Sequence, residues 1–307
     1  MQFVRGFRHL VPPPCGSAVT IGNFDGVHLG HQALIDAVLG NAAQEGTLST
    51  VVLFEPHPRA YFNPDAAPAR VLELRSKLHV LKGLGVERVV CLPFGKPLAC
   101  MPAQDFVRTV LVEGLRARSV VVGDDFHFGA GGRGDFRLLA ELGTQTGFTA
   151  HNVASVTLDG ERVSSTRLRD VLAAADLALA ERLLGRPYAI WGRVRHGLEL
   201  GRKLDMPTAN VAFRHPPALR HGIYAVQVQH GGREMPGVAS LGVRPTLNLT
   251  ECVLEDHLFV PPGNLYGQII RTRFVAFLRP QQKFDDLDQL KRQMHADATR
   301  AREVLNA

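Results

Sequence analysis

The pattern of apolar and polar positions divides the chain into two halves. In the first half, short valine-rich runs alternate with longer segments of helical periodicity; the runs occupy residues 18–22, 50–54, 87–93, 118–123 and, more weakly, 148–153. Strands that are apolar throughout are typical of a parallel sheet covered on both faces, which predicts a doubly wound α/β fold. Ligands of such sheets bind beyond the carboxyl ends of the strands.

Beyond residue 184 the strand-like segments follow one another directly, at residues 190–197, 222–229, 233–242, 251–260 and 268–278. This succession predicts an antiparallel sandwich or small barrel. Residues 285–305 predict a capped amphipathic helix, whose apolar stripe includes or adjoins Leu287, Leu290, Met294, Ala301 and Leu305. We therefore expect two domains, residues 1–184 and residues 185–307.

Composition narrows the class of protein. The 307 residues are 45% hydrophobic and 21% charged, which excludes a mainly disordered, collagen-like or coiled-coil chain. No segment approaches the roughly 20 apolar residues of a membrane-spanning helix, and the first residues lack the apolar core of a secretory signal. The four cysteines have no metal-binding spacing, which suits free thiols in a reducing compartment. We expect a cytoplasmic protein.

The net charge of +6 is compatible with nucleic acid, a membrane surface or small phosphorylated ligands as partners. No run of Lys and Arg forms a polybasic arm, and one Trp and four Tyr offer little for base stacking. We therefore expect small-molecule substrates and neither nucleic acid nor membrane. A nucleic-acid-binding protein is the alternative of a different class, and it predicts steeply salt-dependent binding. The sequence leaves the oligomeric state open, a homo-oligomer included.

Two histidines open the first predicted helix. The segment GNFDGVHLGH, residues 22–31, follows the first strand and places His28 and His31 three apart, so both can face a ligand from the first turn. Glycines and a helix N-terminus favour phosphate, and imidazoles there can stabilise the charge that builds up in a nucleotidyl transfer. An ordinary helix cap is an equally weighted alternative. A divalent-metal site is weaker, because no third ligand is spaced nearby.

Two other loops follow predicted strands of the first half. In residues 54–58, FEPHP, two prolines would hold His57 and Phe62 rigidly over the crevice, although a plain turn explains the segment as well. In residues 123–129, GDDFHFG, carboxylates can accept hydrogen bonds from a ribose or an adenine amino group, and Phe128 can pack on a flat ring.

A further segment, SSTRLR at residues 164–169, begins another predicted helix. Its hydroxyl residues are candidates for the helix cap, and with the two arginines the same turn can hold a pair of phosphates. Each of these signals is weak alone. Their common position at one edge of one sheet favours a nucleotide site.

The second half carries a second group of candidates. The glycines and basic residues of 192–197 and 200–210 resemble a phosphate-cradling loop. Thr208 and Asn210 lie two apart and share a face of an extended segment; with ATP phosphates, their oxygens suit Mg²⁺. Glu255 can take a proton from an attacking hydroxyl. On spacing alone, a Pro-initiated turn and an exposed strand carboxylate are the simpler interpretations.

Together these motifs closely resemble the bifunctional riboflavin kinase/FMN adenylyltransferase family, the prokaryotic FAD synthetases. The matching segments are 22–32, 54–58, 122–129, 163–169, 196–210, 222–226, 240–246, 254–258, 265–267 and 283–290. They span nearly the whole chain in the family's order. The resemblance implies a Rossmann-like nucleotidyltransferase sheet followed by an antiparallel β-barrel with a terminal helix.

The resemblance implies two reactions that use Mg²⁺: riboflavin and ATP give FMN in the C-terminal domain, and FMN and ATP give FAD and pyrophosphate in the N-terminal domain. It implies catalytic roles for His28, His31 and Glu255, and Mg²⁺ ligands at Thr208 and Asn210. ATP would contact Gly22, Asn23, Asp25, Asp125, Ser164, Thr166, Arg167, Gly201 and Arg202. The flavin would contact His57, Pro58, Phe62, Phe128 and Arg244.

The chain departs from the family pattern at three places, one of which is the loop of residues 259–267, with two prolines where a shorter acidic turn is common. Asp205 and Met206 stand where Gly-Phe is usual, which adds a charge beside the phosphate loop, and His127 stands where Arg is common. An alternative on the same fold is a nucleotidyltransferase with another acceptor, in which the barrel serves only in binding.

Overall fold

The computed structural model describes residues 1–197, 206–245, 250–261, 263–284 and 286–307, without the side chains of residues 8, 244, 245, 250 and 251. The chain forms two compact units. The first unit comprises Met1–Pro68 and Lys77–Ser164, and the second unit comprises Ala69–Ser76 and Ser165–Ala307.

The first unit contains a six-stranded parallel sheet, which confirms the predicted doubly wound fold. Its strands are β1 (Gln2–Arg5), β2 (Ser17–Ile21), β3 (Leu48–Glu55), β4 (Arg88–Pro93), β5 (Ala117–Gly123) and β6 (Thr149–Val153). The spatial order is β1-β4-β3-β2-β5-β6. Because the chain proceeds from β2 in one direction and from β5 in the other, the topological switch point lies between the carboxyl ends of these two strands.

Helices and one hairpin complete this half of the fold. The helices are α1 (Leu29–Glu45), α2 (Pro58–Phe62), α3 (Leu74–Gly83), α4 (Lys96–Ala99), α5 (Ala103–Phe106), which continues as a π-helical segment (Val107–Gly114), and α6 (Phe136–Thr146); single 3₁₀ turns lie at Phe7–His9 and Ala130–Gly132. The strands β7 (Thr157–Leu158) and β8 (Glu161–Arg162) form the hairpin. Helix α1 stops at Gly46, whose φ of 65° favours glycine.

The sheet is buried on both faces. On one face, Val19, Val52, Val120 and Val122 join a core with the α5 segment; on the other, Ala18 and Val121 pack against Val38 and Ala42 of α1. Successive strand residues point to opposite faces, so a strand buried on both sides is apolar at most of its positions instead of at alternate ones. This is the physical reason for the uninterrupted valine-rich runs in the sequence.

The second unit is built around a closed antiparallel barrel. Two helices, α7 (Ser165–Ala173) and α8 (Leu177–Leu184), precede the strands β9 (Ala189–Arg195), β10 (Ala209–Ala212), β11 (Gly222–His230), β12 (Arg233–Pro245), β13 (Thr250–Leu258) and β14 (Ile269–Arg279). The barrel closes in the order β10-β13-β12-β11-β14-β9. Of the two predicted antiparallel arrangements, a sandwich and a small barrel, the chain adopts the barrel.

The terminal helix α9 (Leu287–Leu305) begins at Asp286, whose carboxylate accepts a hydrogen bond from the Gln289 N–H at 2.7 Å. Its buried face packs on the outside of the barrel, with Met294, Ala298, Ala301 and Leu305 against Ile223, Ala225 and Val238. The predicted stripe is thus confirmed at three of its positions and wrong at Leu287, which is 58% exposed in the first turn of the helix.

Residues 69–76 fold with the second unit although they lie far from it in sequence. The Tyr188 hydroxyl donates to the Val71 carbonyl at 2.9 Å. The Trp191 N–H donates to the Ser76 hydroxyl at 3.0 Å, and the Arg214 N–H donates to a Glu73 carboxylate oxygen at 2.9 Å. This segment therefore satisfies polar groups at the start of the barrel and beyond β10.

One carboxyl group lies inside the barrel. Asp256 on β13 is 0% exposed, and its Oδ2 accepts a hydrogen bond from the Thr272 hydroxyl at 2.8 Å. Burial raises the pKa of Asp256 from 3.8 to about 7. The folded state therefore holds a proton that the unfolded chain has lost between pH 4 and 7, so this group's contribution to stability falls as the pH rises through that range.

We expect Asp256→Asn to flatten this slope, because asparagine keeps the size and the hydrogen-bond acceptor but has no proton to lose. At pH 8 the free energy of unfolding should rise by about 1 to 3 kcal/mol, since one pKa unit corresponds to about 1.4 kcal/mol. Urea unfolding at pH 5 and pH 8, followed by the fluorescence of Trp191, measures it, because this residue is the chain's only tryptophan and lies in β9. Equal pH slopes in both proteins would contradict the prediction.

Candidate active sites

The two histidines come together at the start of α1. His28 caps the helix, and its Nδ1 accepts a hydrogen bond from the His31 N–H at 3.4 Å. The imidazole rings stack with centroids 3.6 Å apart and planes 19° apart. Because the Nδ1 of His28 accepts the hydrogen bond from the His31 N–H, the ring proton lies on Nε2, from which it can be donated to a phosphate oxygen. The arrangement lies at the switch point, where the sequence predicts a phosphate site.

The turn that precedes the histidines has a strained backbone. Phe24 and Val27 both have φ near 47°, in the left-handed region of backbone conformation that residues other than glycine rarely adopt. Phe24 is fully buried, and its ring centroid lies 5.0 Å from that of His31. A Cβ on Gly22 would lie 3.1 Å from the Phe24 ring. Strain of this kind persists where the surroundings over-determine the backbone, which is typical of ligand sites.

Gly30 brings another predicted segment close to the histidines. A Cβ at this position would lie 3.3 Å from the His28 ring and 3.4 Å from the Val163 carbonyl oxygen. The residue that follows Val163 is Ser164, a predicted phosphate ligand. Thr166 and Arg167 lie in the first turn of α7, within the second unit.

Lys77 is a candidate that sequence reasoning missed. Its side chain is 2% exposed, and its Nζ donates to the Asn23 carbonyl at 2.6 Å, across 54 positions of sequence. Asp25 of the same turn is also 2% exposed. A buried lysine is rare, and the hydrogen bond to Asn23 ties Lys77 to the backbone of the turn. The sequence signal that could have identified Lys77 as a buried residue is its helical spacing, which puts it on the same face of α3 as the buried Val80 and Leu81.

The loop after β3 fixes one predicted residue and exposes another. His57 is 8% exposed and caps α2, with its Nδ1 accepting from the Arg59 N–H at 3.1 Å; Pro58 is the first residue of that helix. Phe62 is 67% exposed. Its ring packs edge-to-face against Tyr61 and Phe94, with centroids 5.3 and 5.7 Å away, and leaves apolar surface that suits a flat heteroaromatic ring.

The carboxylates after β5 are tied to the β7–β8 hairpin. Arg162 lies 2.7 Å from Asp125 and 3.5 Å from Asp124. Asp124 also accepts a hydrogen bond from the Ser155 hydroxyl at 2.9 Å, which lowers the pKa of Asp124. The exposed Asp125 lies just beyond the carboxyl end of β5, at the switch point, with Arg162 beside it.

Phe128 lies in the core. It is 7% exposed, its ring is 5.9 Å from that of Phe106, and a Cβ on Gly134 would lie 2.7 Å from it. Phe126 stacks on it with centroids 5.4 Å apart and is partly exposed. The partly exposed ring at this loop is therefore Phe126, with Phe128 beneath it.

In the second unit, the barrel brings Thr208, Asn210 and Glu255 together. Asn210 pairs with Glu255 across β10 and β13, so their side chains leave the sheet on the same face. The Asn210 amide donates to the Thr208 carbonyl at 3.2 Å and to its hydroxyl at 3.4 Å. A Cβ on Gly197 would lie 2.7 Å from the Asn210 amide carbon, so only glycine leaves room for this side chain.

Three predicted ligands cannot be placed. Gly201 and Arg202 lie outside the described residues. Arg244 lies in β12, where it pairs with Glu251, but its side chain is not described.

The donor set fits a hard cation. Among the described residues no group of three or more His, Cys, Asp or Glu is placed to hold a metal ion. Thr208 and Asn210 instead offer neutral oxygens beside the Glu255 carboxylate. Mg²⁺ takes such oxygens together with phosphates and waters.

The first unit has a doubly wound sheet with a turn suited to phosphate at its switch point. The second unit has a barrel whose oxygen ligands suit a metal ion. Together these features define the class of two-domain, nucleotide-dependent transferases. The FAD synthetase family model matches residues 12–167, and the riboflavin kinase family model matches residues 184–305. The chain belongs to the bifunctional riboflavin kinase/FMN adenylyltransferase family, which confirms the sequence-based interpretation.

Curated relatives match over nearly their full length. The bifunctional riboflavin kinase/FMN adenylyltransferase of Pseudomonas fluorescens is 47% identical over 303 residues, 98% of this chain and 97% of that protein. The protein of the same description from Escherichia coli strain K12 is 44% identical, over 99% of this chain and 97% of its own length.

A solved structure described as a macrolide-efflux protein from Streptococcus pneumoniae has the same overall fold. Its TM-score is 0.77, with 26% identity and 97% of each chain covered. The efflux description belongs to that protein. Within the described parts of the present chain, every helix is too short or too polar to cross a membrane.

Proposed function

We propose that this chain makes FAD from riboflavin in two ATP-dependent steps, one in each domain, with the functional boundary near residue 184. Riboflavin kinase activity gives FMN, and FMN adenylyltransferase activity gives FAD and pyrophosphate. The observation that carries the proposal is the stacked His28–His31 pair at the N-terminus of α1, at the switch point of the sheet. The full-length relatives support the same pair of activities.

In the adenylyl transfer, an FMN phosphate oxygen attacks the α-phosphorus of ATP, and pyrophosphate leaves. His28, His31 and the first N–H groups of α1 donate to phosphate oxygens and stabilise the charge that develops on them. Lys77 holds the Asn23 carbonyl, which fixes the turn from which the histidines project. Both substrates are aligned by the protein, so the reaction needs no protein nucleophile.

The remaining ligands of this step are those that the family resemblance implies. Gly22, Asn23, Asp25 and Asp125 contact ATP, while Ser164, Thr166 and Arg167 contact its phosphates. The flavin ring packs on the exposed face of Phe62, held by His57 and Pro58. Phe128 contributes through the ring stack with Phe126 at the loop surface.

In the kinase reaction, the terminal phosphoryl group of ATP passes to the ribityl 5′-hydroxyl of riboflavin, and ADP leaves. Glu255 accepts the hydroxyl proton as general base. Thr208 and Asn210 hold Mg²⁺, which when bound neutralises charge on the phosphates. Gly201 and Arg202 contact the phosphates of ATP, and Arg244 lies near the flavin.

The thiols support a proposal about the compartment in which the reaction takes place. Cys15, Cys91, Cys100 and Cys252 are free, and Cys15 and Cys100 are exposed, which suits a reducing compartment. We propose that the enzyme acts in the cytoplasm.

Labelled ATP tests both activities in one experiment. Starting from riboflavin, ATP and Mg²⁺, we expect label from the γ-phosphate in FMN, FAD and pyrophosphate. Label from the α-phosphate should appear in ADP and, among the flavins, in FAD only. Chromatography separates the products, and a chelator of Mg²⁺ should stop both steps. An α-label in a product other than FAD, with no FMN formed, would favour a nucleotidyltransferase with another acceptor. Absence of both flavin products would contradict the proposal.

A further inference from the structure

His257 has no role in the proposed reaction, yet it contacts the kinase site. It lies two residues from Glu255 on β13, so the two side chains leave the strand on the same face. Its Nδ1 donates to the Pro207 carbonyl oxygen at 3.0 Å. Pro207 directly precedes Thr208. The hydrogen bond thus fixes the backbone from which Thr208 and Asn210 project.

The His257 ring is held in turn by the terminal helix. Phe259 lies edge-to-face against it, with centroids 6.0 Å apart and planes at 68°. The guanidinium carbon of Arg302, on α9, lies 4.0 Å from the centre of the Phe259 ring, a cation–π contact. The Phe259 N–H donates to the Pro236 carbonyl at 3.0 Å, which anchors this aromatic ring to β12.

Helix α9 also holds the residue on the other side of Pro207. Met206 is 3% exposed and belongs to the same apolar cluster as Ala298 and Ala301. The helix itself is locked to β14 by a two-pronged ion pair, in which Arg279 contacts the Asp297 carboxylate at 2.8 and 2.6 Å. Such bidentate pairs fix geometry as well as adding energy.

The chemistry of the ring suits a fixed hydrogen bond. Burial lowers the pKa of His257; the hydrogen bond to Pro207 partly offsets this effect, and the positive charge of Arg302 adds to it. At neutral pH the ring is therefore uncharged, and the Pro207 carbonyl selects the tautomer with its proton on Nδ1.

We propose that His257 is a positioning residue of the kinase site, through which the terminal helix sets the geometry of residues 207–210. The inference rests on the proposed roles of Thr208 and Asn210. It assigns no contact between His257 and substrate.

The test compares two substitutions of equal size. His257→Leu removes the donor, whereas His257→Asn places an amide N–H near the position of Nδ1. We expect His257→Leu to raise the KM for ATP of riboflavin phosphorylation about tenfold, with a smaller change in kcat, and His257→Asn to recover most of that loss. Adenylylation of added FMN should stay unchanged in both, which shows that the first unit is unaffected and that the effect is confined to the second unit.

A double-mutant cycle tests the link to α9. Arg302→Met keeps the side-chain stem on Phe259 but removes the charge, and should raise the same KM about threefold. In the His257→Leu background it should add nothing. Arg300→Met is the matched control, because this exposed arginine lies on the same helix and belongs to neither contact.

Two results would overturn the proposal: equal impairment of His257→Leu and His257→Asn, or additive effects of the His257 and Arg302 changes. Asn210→Ala separates this failure from that of the proposed site. If Asn210→Ala leaves phosphorylation intact, the assignment of the kinase site is wrong. If it stops phosphorylation while the His257 variants behave as wild type, only the positioning role is wrong.

Discussion

Replacement of His28 by alanine should stop FAD formation while FMN accumulates. The loss should reach at least about 100-fold in kcat, because removal of one fixed donor to a developing phosphate charge costs that much in comparable sites. Phosphorylation of riboflavin uses the other domain and should continue at the wild-type rate. Separation of the flavins by chromatography, from riboflavin and from FMN as starting materials, measures both steps.

His28 also caps α1, so the substitution removes two interactions at once. His28→Asn keeps a capping oxygen for the first turn, whereas His28→Ala loses it and should destabilise the chain by about 1 kcal/mol. Both variants should lose adenylylation, but only the alanine variant should melt earlier. Full adenylylation by the asparagine variant would show that the histidine acts as a helix cap alone.

Glu255→Gln should give the reverse pattern. The amide keeps the size of the side chain but cannot take up the hydroxyl proton, so riboflavin phosphorylation should fall about 100- to 10,000-fold. Added FMN should still be converted to FAD at the wild-type rate. Steady-state kinetics with each flavin in turn make the comparison.

The matched control is Glu234→Gln, an exposed glutamate on β12 of the same barrel. It should leave both activities unchanged. If Glu255→Gln abolished both steps in a folded chain, the two reactions would share one site and the division into two active domains would be wrong.

The sequence predicts the fold well where burial imposes a simple pattern. Strand β2 is buried at every position, and its sequence is largely apolar, with Ser17 and Thr20 as the polar residues. The short strands β1 and β10, of four residues each, carry too few positions to show a period. Leu287 matches the helical stripe but lies in the first turn and is exposed. A periodic pattern predicts the side of the helix on which a residue lies. It does not predict where along the helix the neighbouring element ceases to cover that side.

The candidate sites divide in the same way. His28 and His31 lie three apart on one helix, so local geometry is enough to bring them together. The pairing of Asn210 with Glu255 depends on the register between β10 and β13, which no local pattern encodes. Two further features depend on the packing of several elements and cannot be predicted from a local pattern. Lys77 reaches the histidine turn from a helix far along the chain, and Phe128 lies in the core beneath Phe126.

The segment of residues 69–76 limits the ways in which the chain can be divided into separately expressed fragments. A fragment that starts at residue 185 lacks Val71, Glu73 and Ser76, and so strips hydrogen-bond partners from Tyr188, Trp191 and the backbone at Arg214. No single break in the coding sequence yields both halves intact. A catalyst meant to deliver FMN alone is better made by silencing adenylylation in the whole chain than by expressing its carboxyl-terminal piece.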